Sequence, residues 1–275
     1  PLRLEQRTPI VQFSCFRPTP KPSTFFDFFF DIENKRQFGR IVGGAAVTIA
    51  KYPYIVSLRR NSNHICAASV ISTNCAVTCA HCTYALTSVA GVTIYGGSTS
   101  RTTGGKIFKV SAIINHPNYD PDTFDADVAV LRVDTPLIPN TNIAPVQLVA
   151  ANYAYTAGTI GYVAGWGRTT LGSAASSLSS SLRAVNIPFV SDATCASMWS
   201  NTELTATMVC AGIKGRDACI GDSGGPLVVA SPTNANVNLL AGMVSWGSAS
   251  CGSEYPGVYT KFTAESIRNF LAPYL

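Results

Sequence analysis

The sequence predicts an all-β fold, a barrel or a sandwich, on three observations. Short apolar runs recur from residue 41 onward: Ile55-Val56-Ser57-Leu58, Val92-Thr93-Ile94-Tyr95, Val128-Ala129-Val130-Leu131 and Leu239-Leu240-Ala241-Gly242-Met243-Val244. Clusters of Gly, Asn, Ser and Pro separate them, which is the pattern of short strands joined by turns. Apolar residues make up 47% of the chain and charged residues 13%, enough for a core and too apolar for disorder. Helical periodicity is confined to the last segment, where Ile267, Phe270 and Leu271 fall at i, i+3 and i+4 and Thr263 is placed as the N-cap. At 275 residues the chain makes one large β domain or two small ones.

Residues 1–40 differ in texture. Phe16-Arg17-Pro18-Thr19-Pro20-Lys21-Pro22-Ser23 is Pro-rich and reads as extended. Phe25-Phe26-Asp27-Phe28-Phe29-Phe30-Asp31 is aromatic but broken by acids, too short and too charged for a signal-peptide core. The segment is read as a leader or pro-segment. It also carries much of the net charge of +5: seven Lys/Arg against four Asp/Glu, leaving thirteen against eleven in the rest. With so little excess and no basic run interleaved with aromatics, nucleic-acid binding is a poor reading. No apolar stretch approaches the roughly 18 residues of a membrane-spanning helix.

Four motifs carry chemistry. They are Arg40-Ile41-Val42-Gly43-Gly44, Val77-Thr78-Cys79-Ala80-His81-Cys82, Asp125-Ala126-Asp127-Val128-Ala129-Val130-Leu131 and Gly221-Asp222-Ser223-Gly224-Gly225-Pro226. They supply a nucleophile, a base and a carboxylate to orient the base, in the order His, Asp, Ser. A serine hydroxyl is a weak nucleophile until a base takes its proton. Of the three histidines only His81 has the flanking pattern, and His64 and His116 read as structural or surface residues. Asp125 lies two residues before Asp127 and on a strand would share its direction, but the apolar run that follows favours Asp127.

On these residues the chain resembles a secreted trypsin-like serine protease of the chymotrypsin group, most similar in pattern to the compact fungal and actinomycete trypsins. The resemblance covers residues 41–275 and not 1–40. It implies two antiparallel β-barrels with a C-terminal helix: a first barrel over 41–143 with His81 and Asp127, and a second over 144–275 with Ser223 and the specificity pocket. It implies a catalytic set of His81, Asp127 and Ser223, with an oxyanion hole from the N–H groups of Gly221 and Ser223. Asp217, six residues before Ser223, would form the floor of the primary pocket, between Gly247 and Gly257 as walls that must lack side chains. Ser245-Trp246-Gly247 would pair with substrate backbone, and Phe124 and Trp199 would line neighbouring subsites. Arg40–Ile41 would be an activation cut whose new amine pairs with Asp222. Disulfides would join Cys66 to Cys82, Cys195 to Cys210 and Cys219 to Cys251, a pairing that spacing alone does not give. Such bridges belong to an oxidising compartment, and the resemblance implies export.

The expected substrates are proteins and peptides with Arg or Lys before the cut bond. Protein protease inhibitors are the other expected partners, with no nucleic acid, no membrane and a monomeric enzyme. No cofactor is implied. Ala218 stands where many trypsins have serine, so Arg is expected over Lys, and Ile220 stands where glutamine is common. The stretch that matches the family's calcium loop, residues 95–109, has no acid, and no metal is expected there. Of the three remaining cysteines, Cys15 is in the leader, and Cys75 and Cys79 are expected as buried thiols. A bridge between them is disfavoured, because a strand would hold them roughly 13 Å apart and bridged Cα atoms need less than about 7 Å. A metal cluster of Cys75, Cys79, His81 and Cys82 would lack zinc-ribbon spacing and consume the base. A silent relative used for binding would be expected to have lost one of Ser223, His81 and Asp127.

Overall fold

The computed structural model describes residues 10–12, 42–169, 177–200 and 204–275. Cys15, Arg40, Ile41 and all of the leader except residues 10–12 lie outside the described residues.

Two short strands come first, β1 (Ile10–Gln12) and β2 (Ala45–Ala46). The next six are β3 (Ile55–Arg60), β4 (Asn63–Val70), β5 (Cys75–Thr78), β6 (Val92–Gly96), β7 (Lys106–Asn115) and β8 (Ala129–Val133). They close a barrel in the order β3-β4-β5-β8-β7-β6. After β9 (Gln147–Leu148) come β10 (Ile160–Gly165), β11 (Arg183–Val190), β12 (Met208–Ala211), β13 (Pro226–Ala230), β14 (Asn238–Ser248) and β15 (Gly257–Lys261). These run β14-β13-β10-β11-β12-β15, and pairing of β14 with β15 closes a second barrel. All pairings within both rings are antiparallel. Closure removes the free edges that would otherwise template aggregation.

All four apolar runs fall on strands except for Val128, which stands just before β8. The first barrel is filled by side chains such as Ile55, Leu58, Ile94 and Leu131, and the second by Ile187, Phe189, Val244 and Tyr259, all fully buried or nearly so. Burying an aliphatic or aromatic side chain of this size contributes about 1.5–3 kcal/mol. Cys66–Cys82, Cys195–Cys210 and Cys219–Cys251 are bridged, closing separations of 16, 15 and 32 residues. In the chain-entropy view each contributes roughly 3–4 kcal/mol. Cys75 and Cys79 are free and buried.

The helices correct the sequence reading twice. The last helix, α2, spans Glu265–Leu271 with Ala264 at its N-cap and no side-chain cap. Thr263 does not cap it, since it lies one residue before the N-cap position. An earlier helix, α1 (Asp192–Met198), was not anticipated. It is capped by Ser191 Oγ, which accepts from the Thr194 amide, but it buries only Cys195. A helix without an apolar stripe leaves no periodic signal.

Candidate active site

His81 lies on a single 3₁₀ turn, Ala80–Cys82, that follows β5 directly. The Cys66–Cys82 bridge fixes the residue beside it to β4. Asp127 lies just before β8. Phe124 and Ala126 both adopt left-handed backbone, with φ of 62° and 51°. The segment is therefore not a strand, and its two acids part company. Asp125 Oδ1 accepts from the hydroxyls of Thr205 and Thr207 at 2.5 and 2.6 Å. Asp127 turns to His81, accepting from the ring Nδ1 at 2.7 Å on Oδ2 and from the backbone N–H at 2.9 Å on Oδ1. Ser245 Oγ donates to the same Oδ2.

Burial alone would push the Asp127 carboxyl up. The adjacent imidazole and the donors from His81 and Ser245 outweigh it and hold the group below the ordinary carboxylate range. A carboxylate at Nδ1 calls for the proton on that nitrogen, which leaves the lone pair of a neutral ring on Nε2. His81 Nε2 is buried and has no hydrogen-bond partner among the described residues.

The turn that carries Ser223 is seated on the end of β5. The Ala67 amide donates to the Ser223 carbonyl at 2.8 Å. Gly224 has a φ of 75°, and a Cβ there would lie 2.3 Å from Thr78 Oγ1 and 2.4 Å from the Ala67 carbonyl, so only glycine permits the approach. The Gly224 amide donates to the Val244 carbonyl at 2.9 Å, and Cys79 Sγ reaches the same oxygen at 2.9 Å. Val244 precedes Ser245. One stretch of β14 thus anchors the Ser223 turn, the strand end leading to His81, and Asp127. Burial, with the Asp127 carboxylate nearby, raises the Cys79 thiol well above its usual range, so it is protonated and inert.

Behind the turn, His64 Nε2 meets the Gly221 carbonyl at 2.9 Å while its Nδ1 meets Ser57 Oγ at 2.7 Å. Burial brings His64 down to about 4, against the opposing effect of the Gly221 contact, so the ring is neutral near pH 7. His64 and His116 are both buried and hydrogen-bonded, in keeping with the structural role read from sequence. Nothing local marks His64 as the holder of Gly221, since the two lie 157 positions apart.

Asp222 is fully buried, accepting from the Gly167 amide at 2.7 Å and the Cys219 amide at 3.0 Å, and burial raises it to about 7. Asp217 is 2% exposed. Its Oδ2 accepts from the Gly252 amide at 3.0 Å, while Oδ1 is buried without a partner among the described residues. Burial raises this carboxyl too, to about 7, against the pull of its backbone donors. Gly257 faces it closely: a Cβ there would lie 2.9 Å from Asp217 Oδ1. The Asp217 amide donates to the Val42 carbonyl at 3.3 Å, which places the start of the described body beside the same loop.

Of the other expected positions, the Phe124 ring lies edge-on to His81 with centroids 5.7 Å apart. Trp199 is buried against Trp246 at 5.1 Å, with its Nε1 donating to the Pro256 carbonyl at 3.1 Å. Ser245 turns its side chain to Asp127, a contact not read from sequence, while Trp246 and Gly247 face β1 across antiparallel pairs.

Among the described residues two groups of metal-ligating atoms come within 4.8 Å: Cys66, His81 and Cys82, and Cys79, His81 and Asp127. Neither fits a metal. The first has both sulfurs in a disulfide. The second has a protonated thiol on a carbonyl and a carboxylate already bound by His81 and Ser245.

Comparison with known proteins agrees with this geometry. A family profile described as Trypsin matches residues 41–270. Trypsin alpha of Drosophila erecta is 41% identical over 223 residues, covering 80% of this chain and 82% of the relative. Trypsin delta of Drosophila melanogaster is 40% identical over 228 residues, 82% and 85% of the two chains. Trypsin alpha-4 of Lucilia cuprina is 37% identical over 228 residues, 82% and 84%. Among the described residues no helix is long and apolar enough to cross a membrane. With a profile match over most of its length and relatives near 40% identity, the chain belongs to the trypsin family and is a serine endopeptidase.

Proposed function

We propose that this endopeptidase cuts after Arg and, less well, after Lys, with Ser223 as nucleophile, His81 as general base then acid, and Asp127 as the group that orients His81. Ser223 Oγ attacks the carbonyl carbon of the bond to be cut while its proton passes to His81 Nε2. The C–N bond breaks as His81 returns that proton to the leaving amine, and the acyl group stays on Ser223. Water, deprotonated by the same nitrogen, then attacks the acyl carbon, and the bond to Ser223 Oγ breaks as His81 returns the proton to that oxygen and the acid leaves. Asp127 stays ionised throughout and stabilises the imidazolium. The N–H groups of Gly221 and Ser223 receive the negative charge that develops on the carbonyl oxygen.

The observation that carries the specificity is Asp217, a buried carboxyl with an unpartnered oxygen facing the bare Cα of Gly257. A guanidinium entering there would supply the missing charge and bind in a fork. Ala218 offers no hydroxyl to a lysine ammonium, which favours Arg. The protein is read as an exported zymogen cut at Arg40–Ile41, with the new amine of Ile41 pairing with Asp222. Domain limits of 41–143 and 144–275 divide the two halves of the site.

A digest of a mixed peptide library by the protein cut at Arg40–Ile41 tests the reading, with cleavage sites identified by mass spectrometry. Cuts confined to Arg and Lys, with Arg enriched, are expected. Cuts that ignore the preceding residue, or favour apolar ones, would refute it.

A further inference from the structure

Strand β1 lies antiparallel on β14, with Gln12 opposite Trp246, Val11 opposite Gly247 and Ile10 opposite Ser248. The neighbour of β14 on the barrel side, β13, begins its pairing at Pro226 opposite Met243. On the other side, β15 pairs no further than Val258 opposite Trp246. On the β13 side, residues 246–248 of β14 thus run beyond the barrel ladder, and the described partner there is a piece of this chain's own leader. An extended segment added to such an edge is how peptides are bound by strand addition. The family resemblance assigns this same backbone, Ser245-Trp246-Gly247, to substrate.

The leader's composition fits an occupant that is not consumed. Residues 8–16 read Thr-Pro-Ile-Val-Gln-Phe-Ser-Cys-Phe, without Lys or Arg. Ile10 and Val11 are strong strand formers, and Pro9, next before them in sequence, has no N–H to donate to a ladder. In a bound peptide that kept the register of Ile10–Gln12, the residue after Gln12 would stand opposite Ser245, and in this sequence that residue is Phe13. A phenyl ring offers nothing to the unpartnered oxygen of Asp217.

We propose that the segment of residues 8–16 is a tethered, substrate-like inhibitor of this chain's own active site, held by Ile10–Gln12 on the substrate edge of β14 and spared from cleavage because it lacks Lys and Arg. The proposal rests on the Arg/Lys specificity argued above. Twenty-nine residues join Gln12 to Val42, a length that reaches up to about 100 Å when extended. A tether of that kind holds its end at an effective concentration on the order of millimolar. A segment with a dissociation constant of about 0.1 mM would then be mostly bound while attached and mostly released once cut free at micromolar protein. One cut at Arg40–Ile41 would therefore open the site as well as create the new amine.

The test uses the full chain cut at Arg40–Ile41 and freed of its leader by gel filtration. Turnover of an Arg peptide amide is measured first. A synthetic peptide of residues 8–16, with Cys15→Ser to prevent dimerisation, is then added. Competitive inhibition is expected below about 1 mM, with KM raised, kcat unchanged and the peptide recovered intact. Hydrogen-bonded pairs alternate along an antiparallel ladder, so one of the Val11 and Gln12 amides faces β14. A peptide N-methylated at both should inhibit at least roughly tenfold more weakly, the loss of about one hydrogen bond. The Phe13→Arg peptide should become a substrate cut after residue 13. No inhibition, non-competitive inhibition, equal potency of the N-methylated peptide, or failure of the Phe13→Arg peptide to be cut there would overturn the proposal while leaving the protease reading intact. No turnover before any peptide is added would overturn the protease reading and this one with it.

Discussion

His64 holds the carbonyl of Gly221, with its Nε2 2.9 Å from that oxygen. The contact fixes one face of the peptide at Gly221, and the proposed oxyanion hole depends on how this turn is aimed. His64→Phe should leave the Gly221 carbonyl and Ser57 Oγ without their partner and lower kcat by roughly tenfold or more, the equivalent of about one hydrogen bond at 1.4 kcal/mol. KM should change little, and His64→Gln, which keeps a donor, should recover part of the loss. Steady-state kinetics of both variants checks this. A His64→Phe enzyme with unchanged kcat would refute it.

The same residue sets a pH dependence. Its folded value near 4 lies below the ordinary 6.5, so the unfolded chain binds a proton that the folded chain refuses. The contribution to stability is complete above about 6.5 and is lost as pH falls through 4. Some 2.5 units correspond to about 3 kcal/mol. Denaturant titrations at pH 7 and 4 should show a smaller acid loss in His64→Gln than in the parent protein.

Ser245 donates to the carboxylate oxygen of Asp127 that faces His81. Ser245→Ala should raise the Asp127 carboxyl and cost about 1.5–3 kcal/mol of stability, the usual range for a hydrogen bond to a charged group. Activity should fall with it, most at low pH where Asp127 begins to protonate. Equal stability and an unchanged pH profile would contradict this.

Asp217 makes discrimination itself depend on pH. Burial holds its carboxyl at about 7, and a guanidinium binds only the ionised form. The ratio of kcat/KM for matched Arg and Phe substrates should fall as pH drops below about 7, and taking the ratio cancels ionisations common to both reactions. The stability effect has the opposite sign to that of His64. The folded value lies above the ordinary 3.8, so the contribution is complete below about 3.8 and is lost as pH rises through 7. Asp217→Asn should therefore stabilise the protein more at pH 8 than at pH 4, by up to about 4 kcal/mol for three units. A pH-independent ratio would contradict the pocket assignment.

The proposed activation depends on a cation reaching Asp222, whose carboxyl is raised to about 7 by burial. Arg40→Ala protein should stay nearly inactive under trypsin treatment that activates the parent chain. Full activity of the uncut variant would defeat the zymogen reading.

Much of this was legible in the sequence because the signals are local. The Gly221–Pro226 motif, the His81 and Asp127 motifs and the short apolar runs each lie within a few residues, and the family resemblance supplied the disulfide pairing and the two-barrel arrangement. What was illegible depends on distant contacts or on backbone angle. The split between Asp125 and Asp127 comes from the left-handed Ala126, which no period-two argument anticipates. Ser245 reaches Asp127 across 118 positions. Helix α1 buries one residue and so has no stripe to read. The pairing of Ile10–Gln12 with β14 joins segments more than two hundred residues apart, where composition predicted only an extended leader.

In the proposed mechanism Ser223 is the nucleophile beside a pocket floored by Asp217. The most direct measurement is labelling of the cut protein with a serine-directed phosphonate carrying an arginine-like side chain, set against its phenylalanine analogue. Stoichiometric modification at Ser223 is expected, none in Ser223→Ala, and labelling by the arginine-like reagent faster by on the order of a hundredfold or more, since leaving the buried acid unpaired costs about 3–5 kcal/mol. Modification at another residue, or equal rates for the two reagents, would contradict it.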